Sequence, residues 1–335
     1  MIKSNMRFVA LAAMLIACTS ASAQSETLGK IKETGSITMG VRDASGAMSF
    51  TTGPGKYTGF HVEICERVIA DIKKAVQLDK MDVKYQLVTP QNRIPLVQNG
   101  TVDIECGTTT NNAARQKDVA FAPTLYVEGI RIAVKAGSGI ASSAQLAGKT
   151  VAATTGSTSV QALRKLGRDG VTGVSEVLSK DNSEGFLLLE GGRAEGFVAD
   201  GQILATLISK SKEPEKYKLL DQVLSVEPIA IMFRKGDPAF KKLVDDSILA
   251  LAKSGEVSRI YDKWFMQPIP PNGSKVGLPA NAMTKAAWAA PSDKPLEAYE
   301  ARRGEPSHPG RALLAPCLCQ GHWNHPRPSA MNDPA

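Results

Sequence analysis

The chain has 335 residues, 43% of them hydrophobic and 22% charged. That is the balance of a globular protein with room for two domains, and it excludes a disordered or membrane-embedded chain. More than half of the formal charge of +7 lies at the two ends. Residues 24–300 hold 34 basic and 31 acidic side chains and no basic stripe with interleaved aromatics, which excludes nucleic acid as the expected partner.

The first 23 residues read as an export signal. Lys3 and Arg7 form a positive start, "FVALAAMLIA" is an apolar run of about ten residues, too short to cross a bilayer, and "ASAQ" offers a cleavage site after Ala23. "LIAC", ending at Cys18, also fits a lipid-attachment box, so a lipid anchor is the rival reading. In an exported chain Cys65 and Cys106 are candidates for one disulfide, against the alternative of two buried thiols.

"SITMGVR" predicts a strand, and "HVEICERVIADIKKAV" a helix with Val62, Cys65, Ile69 and Ile72 on one face. "DVKYQLV" is the next strand, "QNRIPLVQNG" a short helix closed by Gly100, and "TVDIECG" a further strand. This order predicts a largely parallel sheet covered by helices. The pattern restarts near "EGIRIAVKAG", with strand–turn–helix in "LAGKTVAATTGSTSVQALRKLG" and strand–helix–strand from "VTGVSEVLS" to "GFLLLEGGRAEGFVAD". "PIAIMFRKGD" is a strand and residues 238–265 a long helical region. The expected organisation is one lobe from 24–132 plus 231–300 and a second from 133–230. Two chain crossings, near 131–136 and 229–235, form a hinge with a ligand cleft between the lobes. From 301 to 335 the chain is rich in Pro, Gly and His and is expected to be disordered. There Cys317, Cys319, His322 and His325 superficially imitate zinc ligands with unsuitable spacing, so no metal site is expected.

Three of the four histidines lie in that tail, leaving His61 in the body. General acid–base catalysis most often uses His, and a nucleophilic Ser or Cys needs a base beside it. With no nucleophile elbow, phosphate loop or Cys-x-x-Cys, the sequence favours a binding protein without cofactor over an enzyme.

Polar residues recur where the strands end, the place where open α/β sheets bind ligands. They are Arg42, Arg93, Thr108, Thr110, Arg115, Ser157, Thr158 and Asp200. Arginine holds carboxylates in a bidentate fork, and hydroxyls at a helix start add an anion site. Three cations and one carboxylate match an amino acid bearing a second acidic group. Each residue alone also fits a structural role: a surface ion pair for Arg42 or Arg93, a helix cap for Thr108 or Thr110.

The segments "QNRIPLVQNGTVDIECGTTTNNAARQKDVAF", "FRKGDPAFKKLVDD" and "DKWFMQPIPP" resemble the solute-binding proteins of polar amino-acid ABC transporters, bacterial extracellular solute-binding family 3, with the glutamate/aspartate-binding branch the nearest likeness. The resemblance spans about Gln24 to Glu300. It implies an α/β, two-lobed type II periplasmic-binding fold, a monomer that closes on L-glutamate or L-aspartate, and a membrane permease as partner. It implies that Arg115, Thr110 and Thr158 grip the α-carboxylate, with Ser157 in the same turn. Asp200 and Thr108 receive the ammonium, and Arg42 and Arg93 neutralise the side-chain carboxylate. Asn182 stands where that branch has His, Pro90 where it has Ser, and Met48 where it has a Phe near the ligand. An exported dehydratase on the same scaffold, or another polar amino acid or dicarboxylate as ligand, is the rival function.

Overall fold

The computed structural model of the protein describes residues 26–303. The expected signal segment 1–23, the lipid attachment at Cys18, the tail beyond 303 and its Cys317, Cys319, His322 and His325 lie outside the described residues.

In chain order the elements are α1 (Glu26–Thr34), β1 (Ser36–Val41), β2 (Phe50–Gly53), β3 (Lys56–Thr58), α2 (Phe60–Ala75), β4 (Asp82–Leu87), α3 (Arg93–Gln98), β5 (Ile104–Glu105) and β6 (Val119–Phe121). There follow β7 (Tyr126–Lys135), β8 (Thr150–Thr154), α4 (Thr158–Arg168), β9 (Ser175–Ser179), α5 (Asn182–Glu190), β10 (Gly196–Asp200), α6 (Gly201–Lys210), β11 (Tyr217–Leu219) and β12 (Ser225–Ile229). The chain ends with β13 (Met232–Arg234), α7 (Pro238–Lys253), α8 (Glu256–Tyr261), α9 (Ala282–Ala289) and α10 (Leu296–Arg303). Helix α10 therefore carries the chain through residues 301–303, where the sequence predicts disorder.

Two sheets divide these strands. The first runs β4-β1-β5-β13-β6, and the second β11-β7-β10-β8-β9 with β12 also paired to β7. In the first sheet β1 is parallel to β4 and β5, as expected. The returning strand β13 is antiparallel to β5 and β6. The chain thus builds one lobe, crosses to a second and comes back, which is the type II arrangement.

The crossings are sharper than the sequence suggests. Residues 126–135 form one unbroken strand of the second sheet, so the first crossing lies at 122–125 rather than 131–136. Residues 228–237 do not form one strand. Ile229 ends β12 in the second sheet, Met232 begins β13 in the first, and Ala230–Ile231 cross between them. The helical region 238–265 is also interrupted. Gly255, with φ of +79°, takes a left-handed conformation that glycine alone adopts freely, and it separates α7 from α8.

The carboxy-terminal helices do not belong to the first lobe alone. Trp288 Nε1 donates to the Leu125 carbonyl at 2.7 Å, Thr284 Oγ1 accepts from Val127 N at 3.0 Å, and Leu296 N donates to the Asn111 carbonyl at 2.8 Å. Ala287 packs with Val127 of β7 and Val226 of β12. Residues 281–299 therefore brace both crossings from behind.

The larger core fills the first lobe between β1, β5, β13 and helices α2, α7 and α8. Phe60, Tyr126, Tyr261 and Phe265 form its aromatic centre, with Tyr261 and Phe265 stacked 4.2 Å apart. Val62, Cys65, Ile69 and Ile72, the face that periodicity indicates, are all buried in α2, joined by Ile64 and Val68. Cys65 and Cys106 are joined by a disulfide, Cα–Cα 6.4 Å, which pins α2 to the end of β5. Met48, by contrast, is buried in this core and does not line the cleft.

The bridge closes a loop with a sequence separation of 41 residues. Replacing Cys106 by Ser is expected to lower stability by roughly 2–4 kcal/mol, because the unfolded chain regains freedom. Denaturant titration of the oxidised and variant proteins measures this as a lower midpoint.

Candidate functional site

The cleft between the lobes narrows to a tightly shut cavity of about 20 Å³. Its lining includes Arg42, Pro90, Arg93, Thr108 and Thr110 from the first lobe, and Ser157, Thr158, Ser159, Asn182, Ala199, Asp200 and Ile203 from the second. Eight of the nine ligand-site residues expected from sequence converge here. Arg115 lies just outside that lining.

Arg42 follows the last residue of β1, and its backbone N–H donates to Ser49 Oγ at 3.0 Å. Arg93 opens α3, and its Nη1 donates to the Thr108 carbonyl at 3.0 Å. Both side chains are buried, and Arg93 Nε has no hydrogen-bond partner among the described residues. Burial and the neighbouring Arg93 lower the Arg42 pKa to about 10. Burial lowers that of Arg93, against the opposing pull of Glu105, Asp200 and Glu227. Two buried guanidinia, one of them with a spare donor at Arg93 Nε, call for an anion.

Glu105 is the carboxylate behind them. It is fully buried, accepts from Thr109 Oγ1 at 2.7 Å, and leaves Oε1 without a partner. Gly107 is what admits this packing: a Cβ there would stand 2.3 Å from Glu105 Oε1 and 2.9 Å from Arg42 Cγ. His61, also fully buried, holds the Gly107 carbonyl through Nδ1 at 2.7 Å. Burial pushes its pKa down to about 4, so it is neutral at pH 7.

The stretch after Gly107 serves the site and the hinge together. Asn111 N donates to the Pro228 carbonyl and Ala230 N to the Thr109 carbonyl, so residues 109–111 run beside the second crossing. Thr108 Oγ1 meets Ser45 Oγ at 3.2 Å. Arg115 sits in a 3-10 turn and is only partly covered. Its guanidinium donates to the Thr110 carbonyl at 2.9 Å and, across the cleft, to the Gly156 carbonyl at 3.3 Å. Desolvation of that end and the nearby Arg93 lower its pKa to about 9.

On the second lobe Thr158 and Ser159 open α4, where unpaired backbone N–H groups favour an anion. Thr158 Oγ1 lies 3.4 Å from Thr110 Oγ1 across the cleft and 3.0 Å from Glu227 Oε2. Ser157 donates its hydroxyl to the Thr154 carbonyl at 2.6 Å, so that proton is engaged locally. Asp200 ends β10 and makes no capping bond to α6. Burial, with Glu227 and Glu128 nearby, raises its pKa to about 7; Arg93 and Arg115 oppose the shift. A cation beside it would stabilise the ionised form.

Asn182 is a latch. Its Nδ2 donates across the cleft to the Ala44 carbonyl at 2.8 Å, and its Oδ1 accepts from Thr154 Oγ1 at 2.9 Å. Gln202 makes a second latch, accepting from Ala47 N at 3.2 Å and donating to the Ser45 carbonyl at 3.4 Å. Glu105, Glu227, Ser45 and Gln202 escape sequence reading. The signal was present for two of them: "IECG" and "SVEPIA" each set one carboxylate among buried, largely apolar strand residues. Among the described residues no group of three His, Cys, Asp or Glu side chains is placed to hold a metal ion.

These bonds define a closed cleft, and one glycine sets how closely it shuts. Gly156, with φ of +78°, packs against the backbone of Pro90 and Gln91, and a Cβ would stand 2.7 Å from Gln91 Cα. Gly156→Ala is expected to hold the lobes apart. Small-angle scattering should then give a larger radius of gyration under conditions that close the parent protein.

Residues 37–267 match the family model described as bacterial extracellular solute-binding proteins, family 3. The L-glutamate/L-aspartate-binding protein of Pseudomonas aeruginosa is 44% identical over 288 residues, covering 86% of this chain and 95% of that protein. The glutamate/aspartate import solute-binding protein of Escherichia coli K12 is 38% identical over 276 residues, covering 82% and 91%. Among solved structures, an ancestral arginine-binding protein bound to arginine aligns with a TM-score of 0.62 at 27% identity, covering 69% of this chain and 98% of that one.

Proposed function

The chain belongs to the bacterial extracellular solute-binding proteins, family 3, and from that premise we infer that it captures L-glutamate or L-aspartate between its lobes and delivers it to an ABC permease. It is a binding protein, not an enzyme. Its relatives of 38–44% identity carry names for glutamate and aspartate binding or import. The single observation that carries the ligand class is the buried pair Arg42 and Arg93, both lining the cavity, with Arg93 Nε unpartnered among the described residues.

We assign the ligand's parts by charge. The side-chain carboxylate lies against Arg42 and Arg93. The α-carboxylate lies against the start of α4, Thr110, Thr158 and Arg115, with Ser157 accepting rather than donating. The ammonium lies by Asp200 and Thr108. Asn182 borders the site but works chiefly between the lobes, because its amide is bonded to Ala44 and Thr154. The protein acts outside the cytoplasm as a monomer, and the segment ending at Ala23 directs its export. Contacts from both lobes are complete only when the cleft is shut, so the ligand favours closure by its differential affinity for that state. The closed form is what the permease engages.

Calorimetry with L-glutamate, L-aspartate, L-glutamine and L-asparagine tests the reading. The acids are expected to bind far more tightly than their amides, and equal affinities would overturn the assignment. Arg93→Ala is expected to cost about 3 kcal/mol of glutamate affinity, a hundredfold or more, because it removes one of the two buried cations that face the side-chain carboxylate. The same variant should affect glutamine far less. Asp200→Asn should weaken every amino acid by a similar factor, since each carries the ammonium.

A further inference from the structure

Glu227 is a buried carboxylate for which no ligand contact has been assigned. It stands in the middle of β12, fully buried, opposite Glu128 of β7. Its Oε1 accepts from Ser225 Oγ at 2.8 Å, and its Oε2 is 3.0 Å from Thr158 Oγ1. Thr110 also bonds to it, and Thr110 Oγ1 lies 3.4 Å from Thr158 Oγ1. The two threonines that line the cavity thus face Glu227 with the same oxygens that they present to the cleft.

Proton counting makes this arrangement restrictive. A hydroxyl has one proton, and an ionised carboxylate only accepts. If Glu227 is ionised, Thr158 must donate to it and can offer a ligand carboxylate only lone pairs. Glu227 and the ligand carboxylate would then compete for the one Thr158 proton. If Glu227 is protonated, its own O–H donates to Thr158 Oγ1, and the Thr158 proton is released toward the cleft.

We propose that Glu227 is a positioning residue that takes up one proton from solvent as the cleft closes on its ligand, so that Glu227 O–H donates to Thr158 and Thr158 O–H donates to the α-carboxylate. The inference rests on the reading that the cleft takes an amino acid. The surroundings bear on it from each side. The hydroxyls of Thr110, Ser225 and Thr158, with Arg115 after β5 and Arg93 on α3, favour the ionised form. Glu128 on β7 and Asp200 on β10 favour the neutral one. On α10, which packs on the same strand, Glu297 is engaged by the Ala113 N–H. Burial raises the Glu227 pKa even before a second carboxylate arrives. A pKa raised in the bound state gives affinity that is full at low pH and is lost as pH rises through that value.

The test is calorimetry of L-glutamate binding to the wild type and to Glu227→Gln, between pH 5 and 9, in buffers of unequal ionisation heat. The wild type is expected to take up more protons per ligand than the variant, by a difference that approaches one. Its affinity should fall with pH by at most about tenfold per unit, the limit for one linked proton, and the variant should not share that fall. Asp200 titrates in the opposite sense because the ammonium displaces its proton, and Glu227 is one cause of its raised pKa, so both proteins are compared in an Asp200→Asn background. Equal uptake in both proteins overturns the proposal. Isotope-edited infrared difference spectra of the wild type give a check that needs no variant: adding glutamate should produce a protonated-carboxyl band, and its absence also overturns the proposal. No binding at any pH would instead overturn the ligand reading, and this inference with it.

Discussion

The structure depends on one electrostatic constraint: a set of ionisable side chains is buried where two lobes meet. Arg42, Arg93, Asp200 and Glu227 are all buried, and no one lobe supplies the whole set. Taking a charge out of water costs several kcal/mol unless partners and hydrogen bonds offset it. Burial disfavours the charge on Arg42 and Arg93, Arg93 disfavours that on Arg42 further, and Glu105 offsets only part of that. Such a cluster is best satisfied by a ligand that supplies the missing counter-charges. The same constraint links recognition to motion, because opening the hinge returns these groups to water.

The hinge and the site are accordingly the same stretch of chain. Residues 109–111 hydrogen-bond beside the second crossing, while Thr108 and Thr110 face the cavity from the same loop. Glu227 lies on the strand that ends at that crossing, and its hydroxyl partners line the cleft. Helices α9 and α10 brace both crossings from outside. A rotation of the lobes therefore alters the hydrogen-bond partners of the ligand-facing threonines directly, with no need for a longer route.

Much of this was legible in the sequence. Alternating strand and helix patterns gave the two α/β lobes, and polar residues at strand ends marked the cavity, because both follow from local periodicity and from where open sheets bind ligands. The exact crossings were not legible. Residues 126–135 read as apolar strand whichever sheet they join, and Ala230–Ile231 interrupt an apolar run without any Gly or Pro to announce it. Helix α1, the β2–β3 hairpin and the brace by α9 also escaped. Their places are fixed by distant contacts such as Trp288 to Leu125 rather than by local pattern. Met48 failed for a related reason: position in an alignment does not say which way a side chain turns, and this one turns into the core.

The departures at Pro90 and Asn182 now carry different weight. Asn182 is committed on both sides of its amide, to Ala44 across the cleft and to Thr154 beneath. Its contribution falls on closure itself, which acts on every ligand alike. Pro90 supplies no donor, yet its carbonyl carbon lies where Gly156 makes its close approach, so it too serves the fit of the lobes. Neither residue can distinguish an acid from its amide by charge. On the proposed assignment that discrimination is left to Arg42 and Arg93, whose side chains are buried. A carboxylate there is paired with two cations, whereas an amide would leave both cations buried without a counter-charge. Selectivity for acidic ligands thus arises as much from the penalty on the wrong ligand as from attraction to the right one.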